Sequence, residues 1–274
     1  MSITLEGMTG SKYLSFSSLE SWLTCGEKYR LTKVLGLDQG QAWYLYGGSA
    51  VHEATELLDK GEAATVEEAW AKAWAKQVAR IDDLDKVKAG GRATKQYPNK
   101  EDAPWWTEHG PLFTQAWVDW RDARFAEGWK ILEVEHAFEI ELGGVPVRGF
   151  IDRIMADQHG QVHCIDLKTG SHSPASTLQL GVYTLAYEAN TGVRPVIGSF
   201  FMNRKGDISG AESMARYTPE LVGGWFASAK RAIEAEVFVP HASGLCRSCG
   251  VAEKCSLFTG TVFLPVTPNV TLHN

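Results

Sequence analysis

Asp152, Asp166 and Lys168 are the residue types that metal-assisted phosphodiester cleavage needs. Two carboxylates can hold a divalent cation, which polarises a phosphate oxygen and lowers the pKa of a bound water. An ammonium beside them orients that water or steadies the developing charge. The three residues lie in two apolar runs, Val147-Arg148-Gly149-Phe150-Ile151-Asp152-Arg153-Ile154 and Cys164-Ile165-Asp166-Leu167-Lys168-Thr169-Gly170. Between them falls Asp157-Gln158-His159-Gly160, the signature of a turn joining two strands. Residues two apart on a strand share a face, so Asp166 and Lys168 project together, and Asp152 sits on the neighbouring strand. An isolated Asp-x-Lys is most often a surface ion pair. Here the apolar flanks place the charges in a half-buried sheet, where ions without a metal or a partner are costly.

The elements that position these groups follow from periodicity. Strand spacing begins at Lys130 and predicts strands over 131–142, 145–155 and 162–167, with Gly143-Gly144 as a hairpin turn. Glu133 and Glu135 lie on the first strand, so a third carboxylate could reach the site. Upstream, Gly47-Gly48 reads as a turn before a helix that carries His52 in its first turn or two, followed by Glu53 and Glu56. Taken alone, His52 reads as a hydrogen-bonded structural histidine. Downstream, Ser173-Pro174 has the cap-then-proline form of a helix start. On that helix Gln179, Tyr183 and Tyr187 share one face.

Residues 1–14 lack periodicity and suggest an arm or a short strand. Ser17-Ser18-Leu19-Glu20 has the form of a capping box for a first helix that contains Cys25 and ends at Gly36. A second capping box at Thr65 precedes Trp70 and Trp74, one turn apart, and 104–128 reads as a long helix or helix pair. The expected organisation is one domain over 1–274 of α/β class. Residues 53–128 form a helical insertion, 130–205 the catalytic sheet and helix, and 238–274 a C-terminal segment. Another strand is expected over 195–202 and an amphipathic helix over 219–237.

With 274 residues and 44% hydrophobic content the chain can build a substantial core. A net charge of −6 argues against attachment to nucleic acid by the whole surface, so any DNA contact must be local. Residues 86–100 carry Lys86, Lys88, Arg92, Lys95 and Lys100 with no acidic residue, around Gly90-Gly91, Tyr97 and Pro98, as a loop tracking a single strand would. No apolar run approaches the roughly eighteen residues of a membrane span, and the N-terminus lacks a signal-peptide pattern, so no membrane partner is expected.

Five cysteines in this context suggest ligands or buried thiols more than disulfides. Cys246-Arg247-Ser248-Cys249 followed by Cys255 suits a metal or cluster and needs a fourth ligand. Cys164 lies in a buried strand and suits a structural thiol, whereas Cys25 is free to supply that ligand if the two ends of the chain meet.

Several motifs, in order, resemble RecB-type nucleases of the PD-(D/E)xK superfamily. They are Tyr13-Leu14-Ser15-Phe16-Ser17-Ser18-Leu19 with Cys25-Gly26-Glu27-Lys28-Tyr29-Arg30, Gly48-Ser49-Ala50-Val51-His52, Gly149-Phe150-Ile151-Asp152-Arg153-Ile154, Asp166-Leu167-Lys168-Thr169-Gly170 and Gln179-Leu180-Gly181-Val182-Tyr183. The cysteine set is similar to the iron–sulfur subgroup, which includes CRISPR adaptation nucleases and AddB-type helicase–nucleases. The resemblance implies a mixed central sheet flanked by helices, with a cluster-bound C-terminal segment. It implies Mg²⁺ or Mn²⁺ held by His52, Asp152, Asp166 and the Leu167 carbonyl, with Lys168 catalytic. Gln179 and Tyr183 would line the site and contact DNA, and Cys25, Cys246, Cys249 and Cys255 would bind a [4Fe–4S] cluster. Four thiolates suit structural Zn²⁺ as well. Gly26 stands where relatives often have proline.

The implied activity is that of a DNA exonuclease acting on single-stranded or free ends in recombination, repair or processing, in the cytoplasm of a bacterial or phage-infected cell, with recombination or replication proteins as possible partners. The rival is a catalytically silent DNA-end or partner-binding accessory protein with the same fold. No Gly-x4-Gly-Lys-Ser/Thr loop is present, so the helicase motor of larger relatives is missing from this chain.

Overall fold

The computed structural model describes residues 4–90 and 101–260. Most of the basic stretch at 86–100 and the end of the segment 238–274 therefore lie outside the described residues. The chain forms two compact units. One comprises Met1–Gln39, Glu139–Arg148 and Pro219–Asn274, and the other Gly40–Phe138 and Gly149–Thr218. In chain order the helices are α1 (Leu5–Thr9), α2 (Phe16–Thr24), α3 (Gly26–Tyr29), α4 (Trp43–Asp59), α5 (Val66–Val78), α6 (Ala103–Ala126), α7 (Leu178–Thr191), α8 (Pro219–Glu234) and α9 (Ser256–Thr259). The strands are β1 (Lys130–Leu142), β2 (Val145–Ala156), β3 (Val162–Lys168), β4 (Ile197–Met202), β5 (Asp207–Ile208) and β6 (Glu212–Ser213).

The larger unit is built on a mixed sheet of order β1-β2-β3-β4-β5, with β6 pairing β4. β2 and β3 are antiparallel, with Arg153 opposite Ile165, and β3 and β4 are parallel, as a strand–helix–strand crossover through α7 requires. One face of the sheet is covered by α6, whose Trp117 packs with Met155, Ile165, Leu167 and Phe201. α7 packs on β3 and β4. A second apolar core joins α4, α5 and α6 through Ala50, Val51, Ala54, Trp70, Ala73, Trp106 and Phe113. This is an α/β architecture with a central mixed sheet flanked by helices.

The glycine pair expected as a turn lies inside α4, which begins at Trp43 and carries His52 well into its length. The reason is packing. A Cβ at Gly47 would fall 2.0 Å from the Trp106 ring, so the missing side chain is the seat of an indole. Gly110 of α6 seats Trp70 in the same way, at 2.0 Å. Trp106 is fully buried and has nowhere to move. Gly47→Ala gains roughly 1 kcal/mol of helix propensity but overpacks the core by more, about 1–3 kcal/mol. The expected result is a lower urea midpoint with an unchanged slope.

Other boundaries also shift. α7 starts at Leu178, because Ser173-Pro174 leads an irregular stretch instead. α6 is one helix across Pro111, capped by the Asp102 side chain. The hairpin turn holds as expected, with Gly143 and Gly144 both at positive φ (60° and 72°).

In the smaller unit the expected arm is a short helix, α1, and Leu5 N–H donates to Glu234 Oε1 of α8. Leu14 then bridges Val147 in parallel. α2 is capped by Ser15 instead of Ser17, the Ser15 hydroxyl accepting the Ser18 N–H at 3.1 Å. The expected continuous first helix breaks at Cys25, whose extended backbone (φ −165°, ψ 108°) separates α2 from α3. The chain continues through a π-helical turn, Arg30–Val34, before Gly36 at φ 65°. α8 buries Val222, Phe226, Ala229 and Ile233.

Candidate active site

β2 and β3 carry the two aspartates. Continuing their register by one residue sets Asp152 opposite Asp166, cross-strand neighbours on one face. Both are buried, at 7% and 2% exposure. Lys168, two residues beyond, places Nζ 2.6 Å from Asp166 Oδ2 and donates to Gln179 Oε1 of α7 at 2.8 Å. Gln179 Nε2 in turn donates to the Tyr183 hydroxyl at 2.8 Å. Period-two spacing on β3 and period-four spacing on α7 thus deliver one continuous polar chain. Asp152 Oδ2 accepts the Leu167 N–H at 2.7 Å, and α4 brings His52 Nδ1 to 3.3 Å from the same oxygen.

Among the described residues, one group of three His, Cys, Asp or Glu side chains places all its ligand atoms within 4.8 Å of one another: His52, Glu135 and Asp152. Glu135 was visible in the sequence only as a carboxylate on a nearby strand. Its backbone at φ 52° lies in the left-handed region, rare for a residue with a side chain and strained by about 1 kcal/mol or more. No sequence pattern announces that kink within β1. The structure therefore brings together His52, Asp152, Asp166, Lys168, Gln179 and Tyr183, and adds Glu135.

Sequence reasoning missed the support beneath the site. Arg153 is fully buried and donates to Asp59 Oδ2 (2.6 Å), the Asp152 carbonyl (2.6 Å) and Thr55 Oγ1 (3.1 Å), with Glu135 at 3.6 Å. Asp59, whose side chain is also fully buried, accepts from Trp117 Nε1 (2.9 Å) and Arg121 (2.5 Å). The network ties the helix carrying His52 to the strand carrying Asp152. The Asn203-Arg204 turn anchors the other end. Asn203 N–H donates to the Lys168 carbonyl (3.0 Å) and Arg204 Nε to the Thr169 carbonyl (2.6 Å), while its other nitrogens form a fork on Glu101.

The electrostatics follow from crowding acids in a dry place. Burial, then Asp152, pushes Glu135 up to about 7. Burial and Asp152 likewise raise Asp166, against the pull of Lys168. Burial opposes ionisation of Asp152 too, but His52 and the Leu167 N–H outweigh it and hold this carboxyl below its usual value. Burial lowers His52 and the surrounding carboxylates more than compensate, so it rises.

The signs combine in one window. An acid with a raised folded-state pKa binds more protons folded than unfolded, so stability falls as pH rises from its ordinary value through the folded one. A raised histidine loses its contribution as pH rises through its folded pKa. Asp152 acts only in more acidic solution. Chelator-treated protein should therefore melt lower at pH 7.5 than at pH 5.5, by on the order of 2 kcal/mol in stability. Added Mn²⁺ should raise the melting temperature more at pH 7.5, because the cation replaces the protons that hold the acids together. Scanning calorimetry checks both.

In the smaller unit Cys25, Cys246, Cys249 and Cys255 line one small cavity with Leu31, Val251 and Phe258. Cys25 Sγ accepts the N–H groups of Lys28 (3.5 Å) and His241 (3.4 Å), and Cys246 Sγ that of Ser243 (3.5 Å). The four sulfurs do not close to the 4.8 Å grouping seen at His52. Cys164 is buried in β3, and burial raises its thiol well above the usual range.

Paired carboxylates at the end of a mixed sheet, with a lysine two residues past one of them, define a nuclease-type core. Residues 13–256 match the PD-(D/E)XK nuclease superfamily, and the chain belongs to that superfamily. It is similar to the Gene 69 protein of Mycobacterium phage D29, at 29% identity over 273 residues, covering 89% of this chain and 96% of that protein. It also resembles the Gene 69 protein of Mycobacterium phage L5, at 26% identity over 299 residues, covering 92% and 100%. A crystal structure from Eubacterium rectale, of a protein provisionally named an exonuclease, overlays with a TM-score of 0.48 at 13% identity. It covers 98% of this chain and 97% of that one, a likeness too distant to carry a functional reading. No helix of the described residues is long and apolar enough to cross a membrane.

Proposed function

We propose that this protein is a Mg²⁺- or Mn²⁺-dependent deoxyribonuclease that degrades single-stranded DNA from free ends. The observation that carries the proposal is the convergence of His52, Glu135 and Asp152 within 4.8 Å, beside the chain Asp166–Lys168–Gln179–Tyr183. Crowded, buried carboxylates are costly in isolation and suited to a hard divalent cation. His52, Glu135, Asp152 and Asp166, with the Leu167 carbonyl, would hold the ion. When bound, the ion supplies Lewis-acid polarisation of the phosphate and a more acidic water. Lys168 Nζ, held by Asp166 and Gln179, is oriented to stabilise charge that develops on the reacting phosphate. Burial raises the Tyr183 hydroxyl far above its ordinary value, so it stays protonated and keeps Gln179 fixed.

Cys25, Cys246, Cys249 and Cys255, which line this one small cavity, would hold a [4Fe–4S] cluster with a structural role, joining the C-terminal segment to the α2–α3 joint. Backbone N–H groups of Lys28, His241 and Ser243 are aimed at the Cys25 and Cys246 sulfurs, the contacts that hydrogen-bonded cluster ligands receive. A multi-iron cluster also holds its thiolates farther apart than a single ion does. Iron with inorganic sulfide in anaerobically purified protein supports the cluster, and stoichiometric zinc in colourless protein replaces it with Zn²⁺.

The activity is tested with 5′- and 3′-labelled single- and double-stranded oligonucleotides in Mg²⁺, Mn²⁺ and chelator. Short products released from one end of single strands, and none in chelator, are expected. Cutting of closed single-stranded circles would overturn the exonuclease assignment. End-binding without cleavage would favour a silent accessory protein.

A further inference from the structure

A second cavity, of about 230 Å³, lies within the smaller unit. Its wall includes the hydroxyls of Thr9, Ser11, Ser15 and Ser18 and the cations Lys33 and Arg148, and no carboxylate residue lines it. That composition is unusual in a chain with a net charge of −6. Several cations elsewhere are neutralised: Lys60, Lys72, Lys76, Arg121, Arg153 and Arg204 each contact a carboxylate. Among the described residues neither Lys33 nor Arg148 has such a contact, and the Arg148 guanidinium instead lies 4.7 Å from the Tyr13 ring centroid.

The backbone of one wall is held by main-chain contacts. The Leu14 and Val147 bridge, with Leu14 N–H donating to the Pro146 carbonyl and Arg148 N–H to the Leu14 carbonyl, holds Arg148 against the Tyr13–Ser15 segment. Ser15 caps α2 and bonds Ser17 (2.9 Å) and Ser18 (3.1 Å). Lys33 follows from the π-helical turn after α3. Two cations around a pocket without acids make a receptor for a tetrahedral oxyanion, in which arginine and lysine balance the charge, while the hydroxyl protons of Thr9, Ser11 and Ser15 go to the Leu5 and Ser11 carbonyls, the Tyr13 carbonyl and Ser18 Oγ.

We infer that this cavity binds a backbone phosphate of a DNA strand. The inference rests on the nuclease reading for its choice of phosphate source, but it concerns binding and not turnover. Phosphate contacts hold register without reading sequence, so the site would grip any strand.

The test uses the full-length protein carrying Asp166→Asn, in chelator, so that binding is measured whether or not the protein cleaves. A fluorescent single-stranded oligonucleotide is titrated across a salt series. Lys33→Ala and Arg148→Ala are each expected to weaken binding about fivefold near physiological salt and to reduce the slope of log K against log[salt] by about 0.7. Oligonucleotides of different sequence should lose equally. Lys33→Arg should retain parental binding, which separates charge loss from misfolding. Lys72→Ala, removing an exposed charge already paired with Glu68, sets the background. Parental affinity and slope in both alanine variants would overturn the proposal. So would inorganic phosphate stabilising the parent and not the variants while DNA binding stays parental, since the cavity would then serve free phosphate. Failure of the nuclease reading would appear separately, as absence of cleavage by the unmodified protein.

Discussion

Replacing Lys168 by alanine is expected to slow single-stranded DNA hydrolysis by about 10³-fold under single-turnover conditions with saturating Mn²⁺. The ammonium sits 2.6 Å from Asp166 and is held by Gln179, so it is preorganised and costs no rearrangement when charge develops on the phosphate. Its removal also leaves buried Asp166 facing Asp152 without its cationic neighbour. Asp166 should then hold a proton to higher pH, and the residual activity should shift to more alkaline solution. Lys168→Arg should not restore the rate, because a planar fork cannot occupy the point position of an ammonium between Asp166 and Gln179. Circular dichroism should show the native spectrum for both variants. Rates within tenfold of the parent for Lys168→Ala would remove Lys168 from the chemistry.

The second large effect lies beneath the site. Arg153→Met should cost about 3–5 kcal/mol, because Asp59 would be left fully buried after losing its central cation. That is a fall in melting temperature of roughly 10 °C for a chain of this size. The double variant Arg153→Met with Asp59→Leu should recover part of the loss, since an apolar pair can replace a buried ion pair but Trp117 Nε1 and Arg121 then lose the acceptor that Asp59 provides. It should not recover activity. Arg153 and Thr55 link α4, which carries His52, to the carbonyl of Asp152, and loosening that link separates the two halves of the candidate cation site. Melting temperature and Mn²⁺ affinity measured on the same samples separate the two consequences. A double variant with parental Mn²⁺ affinity would show that Arg153 serves stability alone.

Much of this site was legible in the sequence because it rests on local periodicity. Asp166 and Lys168 converge through strand alternation, Gln179 and Tyr183 through helical spacing, and Gly143-Gly144 through turn chemistry. The rest depends on tertiary packing. Gly47-Gly48 read as a turn because the role of Gly47 as a seat for Trp106 is invisible without the partner helix. Glu135 needed a positive φ inside a strand to reach its neighbours. Arg153, next to Asp152, looked like an ordinary charged strand residue, and nothing local says that Asp59, far upstream, neutralises it. Cys25 appeared to lie within a helix, whereas it forms the joint between two. A cysteine thiol accepting the Lys28 N–H caps the second of these, a use of cysteine that capping rules do not anticipate.

The central claim is that the cluster of His52, Glu135, Asp152 and Asp166 hydrolyses DNA with a divalent cation. It is tested most directly by nucleotide release from uniformly labelled single-stranded DNA as Mn²⁺ is titrated into chelator-treated protein, with Asp166→Asn measured in parallel. Saturable release by the unmodified protein is expected, with none in chelator and none from Asp166→Asn. Unmodified protein that binds the DNA but releases nothing at any Mn²⁺ concentration would contradict it, as would Asp166→Asn protein that matches the parent.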